Sequence, residues 1–295
     1  MVPAAPAHRS EGRLAIIAGM GYLPLHVAEA ARAAGDEPVV VALRQEADRD
    51  FSGFEQMVTG VGDFAGIQRL IREKGVTRVV LCGGVRRRPE WRDIHPTFRS
   101  LLKLPHVVRT LLAGGDDTVL QMVIGLFEGM GCRVVGVHEI VPALLAETGA
   151  LTRLQPQADD LRDIEIGAQA ATMLGQLDVG QGAVCVGGRI VALEGAEGTD
   201  SMLERVAALR TAGRISVRRR GVLVKLCKPQ QDMRADLPTV GPSTVRGAIA
   251  AGLAGIAVEA GRALIIDRQA MIDLADENRI FVCGLDRGLS GRGLR

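Results

Sequence analysis

Short β-branched and apolar runs alternate with helical patterns from Arg13 onward, and this alternation restricts the fold more than any other feature. The runs in the first half predict strands at Leu14–Ala18, Pro38–Leu43, Arg78–Cys82 and Arg133–Val137. The segments between them predict helices that end at Ala34 or cover about 64–74, 97–112 and 117–130. Strands joined by helices in this way pair in parallel through right-handed crossovers. The first half is therefore predicted to form an open, mostly parallel, Rossmann-like α/β sheet.

The pattern becomes polar and irregular at about 148–160, and we expect the linker between two domains there. A chain of 295 residues suits two domains of about 150 residues each. We predict a Rossmann-like domain over residues 1–150 and a C-terminal catalytic domain over 151–295. The second is predicted to be mixed α/β (α+β), because it combines a hairpin with crossovers. Its predicted elements are the hairpin 183–186/190–193, helices at 160–177, 201–210 and from Ser243, and strands at 222–226, 256–258, 263–266 and 280–283.

Composition excludes several classes of protein. Aromatic residues make up 3% of the chain and the formal net charge is +2, so we expect no nucleic-acid partner. The five cysteines form no Cys-x-x-Cys pair and no zinc-type cluster, which is typical of a reducing compartment. No run approaches the ~20 apolar residues that a membrane span needs. We expect a cytoplasmic protein, and docking on a membrane surface stays open.

Glycine turns follow two of the predicted strands. The first, Gly19-Met20-Gly21-Tyr22-Leu23-Pro24, stands where a dinucleotide-binding fingerprint would, but Pro24 replaces its third glycine and Arg44 follows the second strand. A tight turn is therefore favoured over phosphate binding. The second, Gly83-Gly84-Val85-Arg86, could bring backbone and a guanidinium to an anion. Because open α/β sheets bind ligands at the carboxyl ends of strands, the candidate substrate-binding residues are Gly19, Gly21, Gly83, Gly84, Val85 and Arg86.

The most informative segment is the long loop Lys225–Thr244, which joins an apolar strand to an apolar helix. Loops of this length in compact domains are usually functional or disordered. Disorder is not expected here, because three prolines fix the backbone at Pro229, Pro238 and Pro242. Only four of the 36 basic residues of the chain are lysines, and two of the four lie in this loop. A stiff, charged loop is typical of a preorganised site.

The residue types in this loop are those that handle phosphate. Two carboxylates, Asp232 and Asp236, suit Mg²⁺, and lysine and arginine stabilise phosphate charge. Ser243 and Thr244 would cap a helix whose N-terminal N–H groups attract phosphate, so both are candidate substrate-binding residues. The candidate catalytic residues are Asp232, Asp236, Lys225, Lys228 and Arg234.

The motif Glu197-Gly198-Thr199-Asp200 has two interpretations. In one, Ser201 and Glu204 form a capping box that starts a helix, and the motif has no functional role. In the other, Gly198, Thr199 and Asp200 bind substrate, with Thr199 on a phosphate. Asp200 or Glu197 would then be a third oxygen ligand to the metal or a base. Considered alone, the motif favours capping.

With these motifs, the chain resembles the UDP-2,3-diacylglucosamine pyrophosphatase family of lipid A biosynthesis, the two-domain type unrelated to calcineurin-like phosphoesterases. The resemblance runs from about Leu14 to Cys283. Its most specific part is the long loop, and the glycine turns alone would carry no weight. The segments that carry it are Ala18–Pro24, Gly84–Arg86, Glu197–Asp200, Lys228–Pro238 and Gly241–Val245.

The resemblance implies hydrolysis of the pyrophosphate of UDP-2,3-diacylglucosamine to UMP and 2,3-diacylglucosamine 1-phosphate, with Mg²⁺, Mn²⁺ or another divalent cation. It implies a lipid-linked UDP-sugar as substrate and peripheral contact with the inner face of the inner membrane. A homodimer is left open. Two alternatives are kept: a nicotinamide-dependent sugar-nucleotide oxidoreductase, and a non-catalytic nucleotide-sugar or lipid carrier. Tight dinucleotide binding at Gly19–Gly21 would favour the first, and substrate binding without turnover would favour the second.

Overall fold

The computed structural model describes residues 12–85 and 116–286, and the chain divides into two compact units. The first unit contains the chain up to Pro142 and also the segment Asp232–Asp236. The second unit contains Ala143–Gln231 and the chain from Leu237 onward. Five residues of the long loop therefore belong to the first unit, whereas the sequence places the whole loop in the C-terminal domain.

The described strands of the first unit form one parallel sheet in the order β3-β2-β1-β4-β5. The strands are β1 (Arg13–Ala18), β2 (Val39–Leu43), β3 (Glu55–Thr59), β4 (Val76–Cys82) and β5 (Arg133–Val135). This order is that of a Rossmann-type sheet, which confirms the predicted fold class. The sequence did not predict β3, because Glu55 and Gln56 on this exposed edge strand interrupt the apolar pattern.

Helices of the first unit follow the predicted spacing. They are α1 (Leu23–Ala33), α2 (Phe64–Glu73), α3 (Asp116–Gly129) and the single turn α4 (Val137–Ile140), followed by a 3₁₀ turn at Pro142–Leu144. Asp63 caps α2 by accepting a hydrogen bond from the Gly66 amide at 2.9 Å, which satisfies one of the free N–H groups of the helix. Ile67 and Ile71 then face the core of the unit. The helix predicted at 97–112 lies outside the described residues.

The second unit is built on a mixed six-stranded sheet in the order β6-β13-β11-β9-β7-β8. Its strands are β6 (Gly149–Ala150), β7 (Gly182–Val186), β8 (Arg189–Leu193), β9 (Val222–Lys225), β11 (Gly255–Glu259) and β13 (Phe281–Leu285). A separate parallel pair consists of β10 (Thr239–Val240) and β12 (Leu264–Ile265). In the large sheet β9, β11 and β13 run parallel, whereas β7 and β8 form the antiparallel hairpin that the sequence predicts. The prediction of a mixed second domain is confirmed.

Four described helices accompany this sheet: α5 (Ala158–Gln176), α6 (Gly198–Thr211), α7 (Pro242–Ala250) and α8 (Arg268–Glu277). The core includes fully buried residues of α6, such as Met202, Leu203 and Val206, together with strand residues such as Leu223 and Ile256. All five cysteines are buried thiols, and none of them forms a disulfide. No helix in the described part of the chain combines the length and the apolar character that crossing a membrane requires.

Candidate active site

Lys225 ends β9 as a buried ammonium in the second unit. Its Nζ donates to Thr199 Oγ1 at 2.8 Å and to the carbonyl oxygen of Thr239 at 3.3 Å, and the residue is 7% exposed. Both acceptors are neutral, and no described carboxylate forms an ion pair with Lys225. A buried ammonium with neutral partners keeps its charge available for an anion.

The Thr199 hydroxyl connects this ammonium to a buried carboxylate. While it accepts from Lys225, the hydroxyl donates to Glu194 Oε1 at 2.5 Å. Glu194 is 6% exposed, and its other oxygen lies 3.4 Å from the donating amide of Gln181. The ammonium and the carboxylate thus share one hydroxyl without forming a direct ion pair, and burial makes this hydroxyl costly to lose. Thr199 is a predicted site residue, but Glu194 is not.

The capping interpretation of the neighbouring motif is wrong. Helix α6 begins at Gly198, so Ser201 lies inside the helix and cannot act as its N-cap. Glu197 takes the cap position without a side-chain cap, and its carboxylate pairs with Arg205. Gly198 adopts a φ of +79°, a conformation that glycine tolerates best. Asp200, the third predicted metal ligand, is exposed in the first turn.

Replacing Thr199 by valine is expected to lower the free energy of unfolding by about 1.5–3 kcal/mol, because two buried charges lose their shared hydroxyl. Thr211→Val is the matched control on the same helix, since the exposed Thr211 hydroxyl donates only to the Ala207 carbonyl at 3.1 Å. The control should cost less than about 0.5 kcal/mol. Urea titrations measure both; equal losses would show that the hydroxyl bridge does not stabilise the unit.

Lys228 is also buried but forms an ion pair. Its Nζ lies 2.6 Å from Asp178 Oδ1. The backbone around it is fixed by Gln231, whose Oε1 accepts from the Lys228 amide at 3.1 Å. Glu259 holds the preceding residue by accepting from the Cys227 amide at 3.2 Å, and burial raises the pKa of Glu259 above its usual value. The entrance of the predicted polar loop is thus an ordered, buried segment.

Asp232 and Arg234 form a second charged group, in the first unit. Arg234 Nη2 donates to Asp232 Oδ2 at 2.7 Å and Arg234 Nε donates to Asp232 Oδ1 at 3.0 Å, as does the Arg234 amide. The remaining arm, Nη1, donates to Glu128 Oε1 on α3 at 2.8 Å. The adjacent guanidinium lowers the pKa of Asp232. This geometry fixes the guanidinium plane and keeps the carboxylate ionised.

The described residues do not fit a resident metal centre. In this part of the chain no three His, Cys, Asp or Glu side chains are grouped so that they could hold a metal ion. Both oxygens of Asp232 face the Arg234 guanidinium, whose positive charge opposes a cation on the same carboxylate. Asp236 is exposed. The predicted ligand set of Asp232 and Asp236, with or without Asp200, is therefore not assembled here.

The two glycine turns of the first unit pair with each other. Met20 N donates to the Gly84 carbonyl at 2.8 Å, and Gly84 N donates back to the Met20 carbonyl at 3.0 Å. A Cβ atom on Gly19 would lie 2.4 Å from the Gly84 oxygen, so only glycine permits this approach. Gly83, at φ +87°, has a similar constraint. Close backbone packing explains why Gly19 and Gly83 are glycines.

Gly21 has a carboxylate where a dinucleotide phosphate would lie. Its amide donates to Asp48 Oδ1 at 2.8 Å. A negative side chain at this amide disfavours a phosphate by charge and by competition for the donor. The structure therefore agrees with the preference for a tight turn over phosphate binding. Arg86 lies outside the described residues.

An apolar cavity of about 170 Å³ lies at the carboxyl ends of β1, β2 and β4 within the first unit. Open α/β sheets bind ligands at this edge. Val85, a predicted substrate-binding residue, is among its lining residues. The cavity offers dispersion contacts rather than polar partners, which suits a hydrocarbon. Its walls also include Ile17, Leu43, Phe64, Leu81, Val123 and Ala235.

Ser243 and Thr244 start α7, but their roles differ. Thr244 is buried, and its hydroxyl accepts from the Gly241 amide at 3.3 Å, which occupies it within the helix cap. Ser243 is exposed in the first turn. Only Ser243 therefore presents its hydroxyl to solvent.

Comparison with known proteins gives a consistent family match. The LpxI N-terminal domain matches residues 13–144 and the LpxI C-terminal domain matches residues 147–283. The UDP-2,3-diacylglucosamine pyrophosphatase LpxI of Caulobacter vibrioides is 40% identical over 275 residues, covering 93% of this chain and 98% of that protein. Among solved structures, the Bordetella bronchiseptica enzyme WbmH in complex with NAD⁺ matches at 17% identity over 39% of this chain and 36% of that one. Its TM-score of 0.25 supports no conclusion.

Proposed function

This chain belongs to the LpxI family, and from that premise we propose that it hydrolyses the pyrophosphate bond of UDP-2,3-diacylglucosamine in lipid A biosynthesis. The products would be UMP and 2,3-diacylglucosamine 1-phosphate. Two observations support the assignment: the match spans nearly the whole chain, and the related protein of Caulobacter vibrioides is named for this activity. The carboxylate at the Gly21 amide argues against the nicotinamide-dependent alternative.

In the structure, the proposal rests chiefly on the buried ammonium of Lys225. Hydrolysis of a diphosphate adds a water oxygen to phosphorus and breaks the bond to the bridging oxygen, which leaves with negative charge. Most of the catalysis in phosphoryl transfer comes from positioning and charge stabilisation. Lys225 is fixed by two neutral acceptors before substrate arrives, so it can stabilise that charge without reorganising.

We propose a separate role for Arg234, which lies in the first unit, as an anion-binding group. Asp232 and Glu128 hold three of its five N–H groups, so the guanidinium is already oriented, and no other described residue bonds to the two N–H groups left for substrate. Asp232 would act as the group that orients this guanidinium and keeps it charged. Lys228, paired with Asp178, contributes less free charge than Lys225.

Dependence on a divalent cation is part of the proposal, and no catalytic step is derived from it. Mg²⁺ commonly binds through substrate phosphates with one or two carboxylates, so a protein without a resident centre can still require it. We expect purified protein to release UMP from UDP-2,3-diacylglucosamine, and excess EDTA to lower the rate by roughly a hundredfold or more. Added Mg²⁺ or Mn²⁺ should restore it. Undiminished turnover in EDTA would reject the metal requirement, and no UMP release under any condition would reject the function.

We further propose that the apolar cavity of the first unit accepts an acyl chain of the substrate, because its walls are apolar and it opens at a ligand-binding edge. Because the proposed substrate is lipid-linked, we also propose that the protein acts in the cytoplasm and makes peripheral contact with the inner face of the inner membrane. A carrier would bind the substrate without releasing UMP, so UMP release separates the two functions.

A further inference from the structure

Positive charge is concentrated in one part of this nearly neutral chain. From Arg205 to Gln231 the sequence contains six arginines and two lysines but no aspartate or glutamate, although the net charge of the whole protein is only +2. Most of these arginines lie in or beside residues 213–220, which connect α6 to β9 and are called the arginine loop here. The loop enters β9 at the end opposite Lys225.

The backbone of the arginine loop is held in a fixed conformation by Arg210, the penultimate residue of helix α6. Arg210 Nη1 donates to the carbonyl oxygens of Ser216 and Arg219, each at 2.9 Å, and Nη2 donates to that of Arg220 at 2.8 Å. Arg220 in turn donates to the Leu253 carbonyl at 2.7 Å. Among the described residues these guanidinium groups bond to carbonyl oxygens and to no carboxylate, so none of those residues neutralises their charges.

The exposed side chains of the loop combine cations with one apolar residue. Val217 is 81% exposed at its tip. Arg214 and Arg218 are exposed on either side, and within the described residues neither side chain has a hydrogen bond or an ion pair. Burial and the charge of Arg220 lower the pKa of Arg210. Like charges held close together repel each other, and an external anion bound beside them would reduce this repulsion.

We propose that the arginine loop docks this protein on an anionic lipid surface. Arginines near such a surface each strengthen binding about fivefold, and an exposed aliphatic residue among them adds apolar contact with the interface. Nucleic acid fits less well, because the loop has no aromatic residue on which a base could stack. The proposal rests on the peripheral membrane contact proposed above and assigns that contact to one surface, and none of these residues belongs to the candidate active site.

Vesicle sedimentation with the full-length protein tests the proposal. We expect binding to vesicles of phosphatidylcholine with 30% phosphatidylglycerol, weak binding to pure phosphatidylcholine, and release at high salt, because exposed charges are screened. Replacing Arg214 and Arg218 by glutamine should weaken binding to the anionic vesicles roughly 25-fold. Both side chains are exposed and bond to no other described residue, so the variant should fold.

The matched control is Arg69→Gln with Arg72→Gln on α2, which removes two exposed arginines and the same total charge from the first unit. It should bind like the unchanged protein. Equal binding to neutral vesicles, an unaffected loop variant, or an equal loss in the control would overturn the proposal. Binding to duplex DNA but not to vesicles would overturn it in favour of a nucleic-acid partner. None of these readouts uses turnover, so failure of the catalytic assignment would be seen separately.

Discussion

Replacing Asp232 by asparagine is expected to reduce UMP release from UDP-2,3-diacylglucosamine by about 10²–10³-fold, the loss typical of removing one preorganised charge-stabilising group. The substituted amide keeps the shape of the side chain but not its charge. It can no longer accept from both Nε and Nη2 of Arg234, so the guanidinium loses its orientation. Turnover should fall mainly in kcat, because the lost contact acts on developing charge.

The matched control for this substitution is Asp50→Asn. Asp50 makes the same local contact, since its Oδ1 accepts from the amide two residues later, that of Ser52, at 2.8 Å. It lies in the same unit but outside the candidate site, so its substitution should leave turnover unchanged. Circular dichroism would show that both variants fold. A folded Asp232→Asn protein with ordinary turnover would remove this ion pair from the mechanism.

The second large effect concerns stability: Gly83→Ala should lower the free energy of unfolding by about 3 kcal/mol. A positive φ costs an alanine roughly 1–2 kcal/mol, and overpacking typically adds 1–3 kcal/mol. At Gly83, φ is +87°, and a Cβ would lie 2.8 Å from the Gly19 carbonyl carbon, the Met20 oxygen and Pro24 Cγ. Neither backbone atom can move without separating the paired turns.

Gly35→Ala separates the two contributions. Gly35 has a similar φ of +93°, but no atom lies within 4 Å of its added Cβ. We therefore expect only the conformational part, about 1–2 kcal/mol, from this variant. Both free energies come from urea titration. If Gly83→Ala lowers the free energy of unfolding no more than Gly35→Ala does, the two glycine turns do not pack closely against each other in solution.

The sequence predicts the fold well where apolar runs are strong. Strands such as β1 and β4 are buried and continuous, so their pattern does not depend on distant partners. Strand β3 was not predicted, because it lies at the edge of the sheet and exposes Glu55 and Gln56. A strand with an exposed surface does not need a continuous apolar pattern. The fold class followed from the many strong elements, so one missed edge strand did not change it.

The candidate site was less predictable, because its contacts join distant parts of the chain. Lys225 and Thr199 stand out by residue type and loop context. Glu194 gives no local signal: it is one glutamate after a strand, and its role appears only when three segments meet. The pairing of Asp232 with Arg234 was equally hidden, since the sequence treats the two as separate metal and phosphate groups.

Residues Asp232–Asp236 belong to the first unit, and this limits how the two halves of the chain can evolve. The backbone passes from one unit to the other three times, after Pro142, Gln231 and Asp236. Suppose that a gene fusion exchanged only the N-terminal half between two relatives. The new sheet and cavity wall would then meet the original Ala235, which lines that cavity, and the new helix α3 would meet the original Arg234, which pairs with Glu128. The two halves must therefore be inherited and diverge together, even though each has its own hydrophobic core.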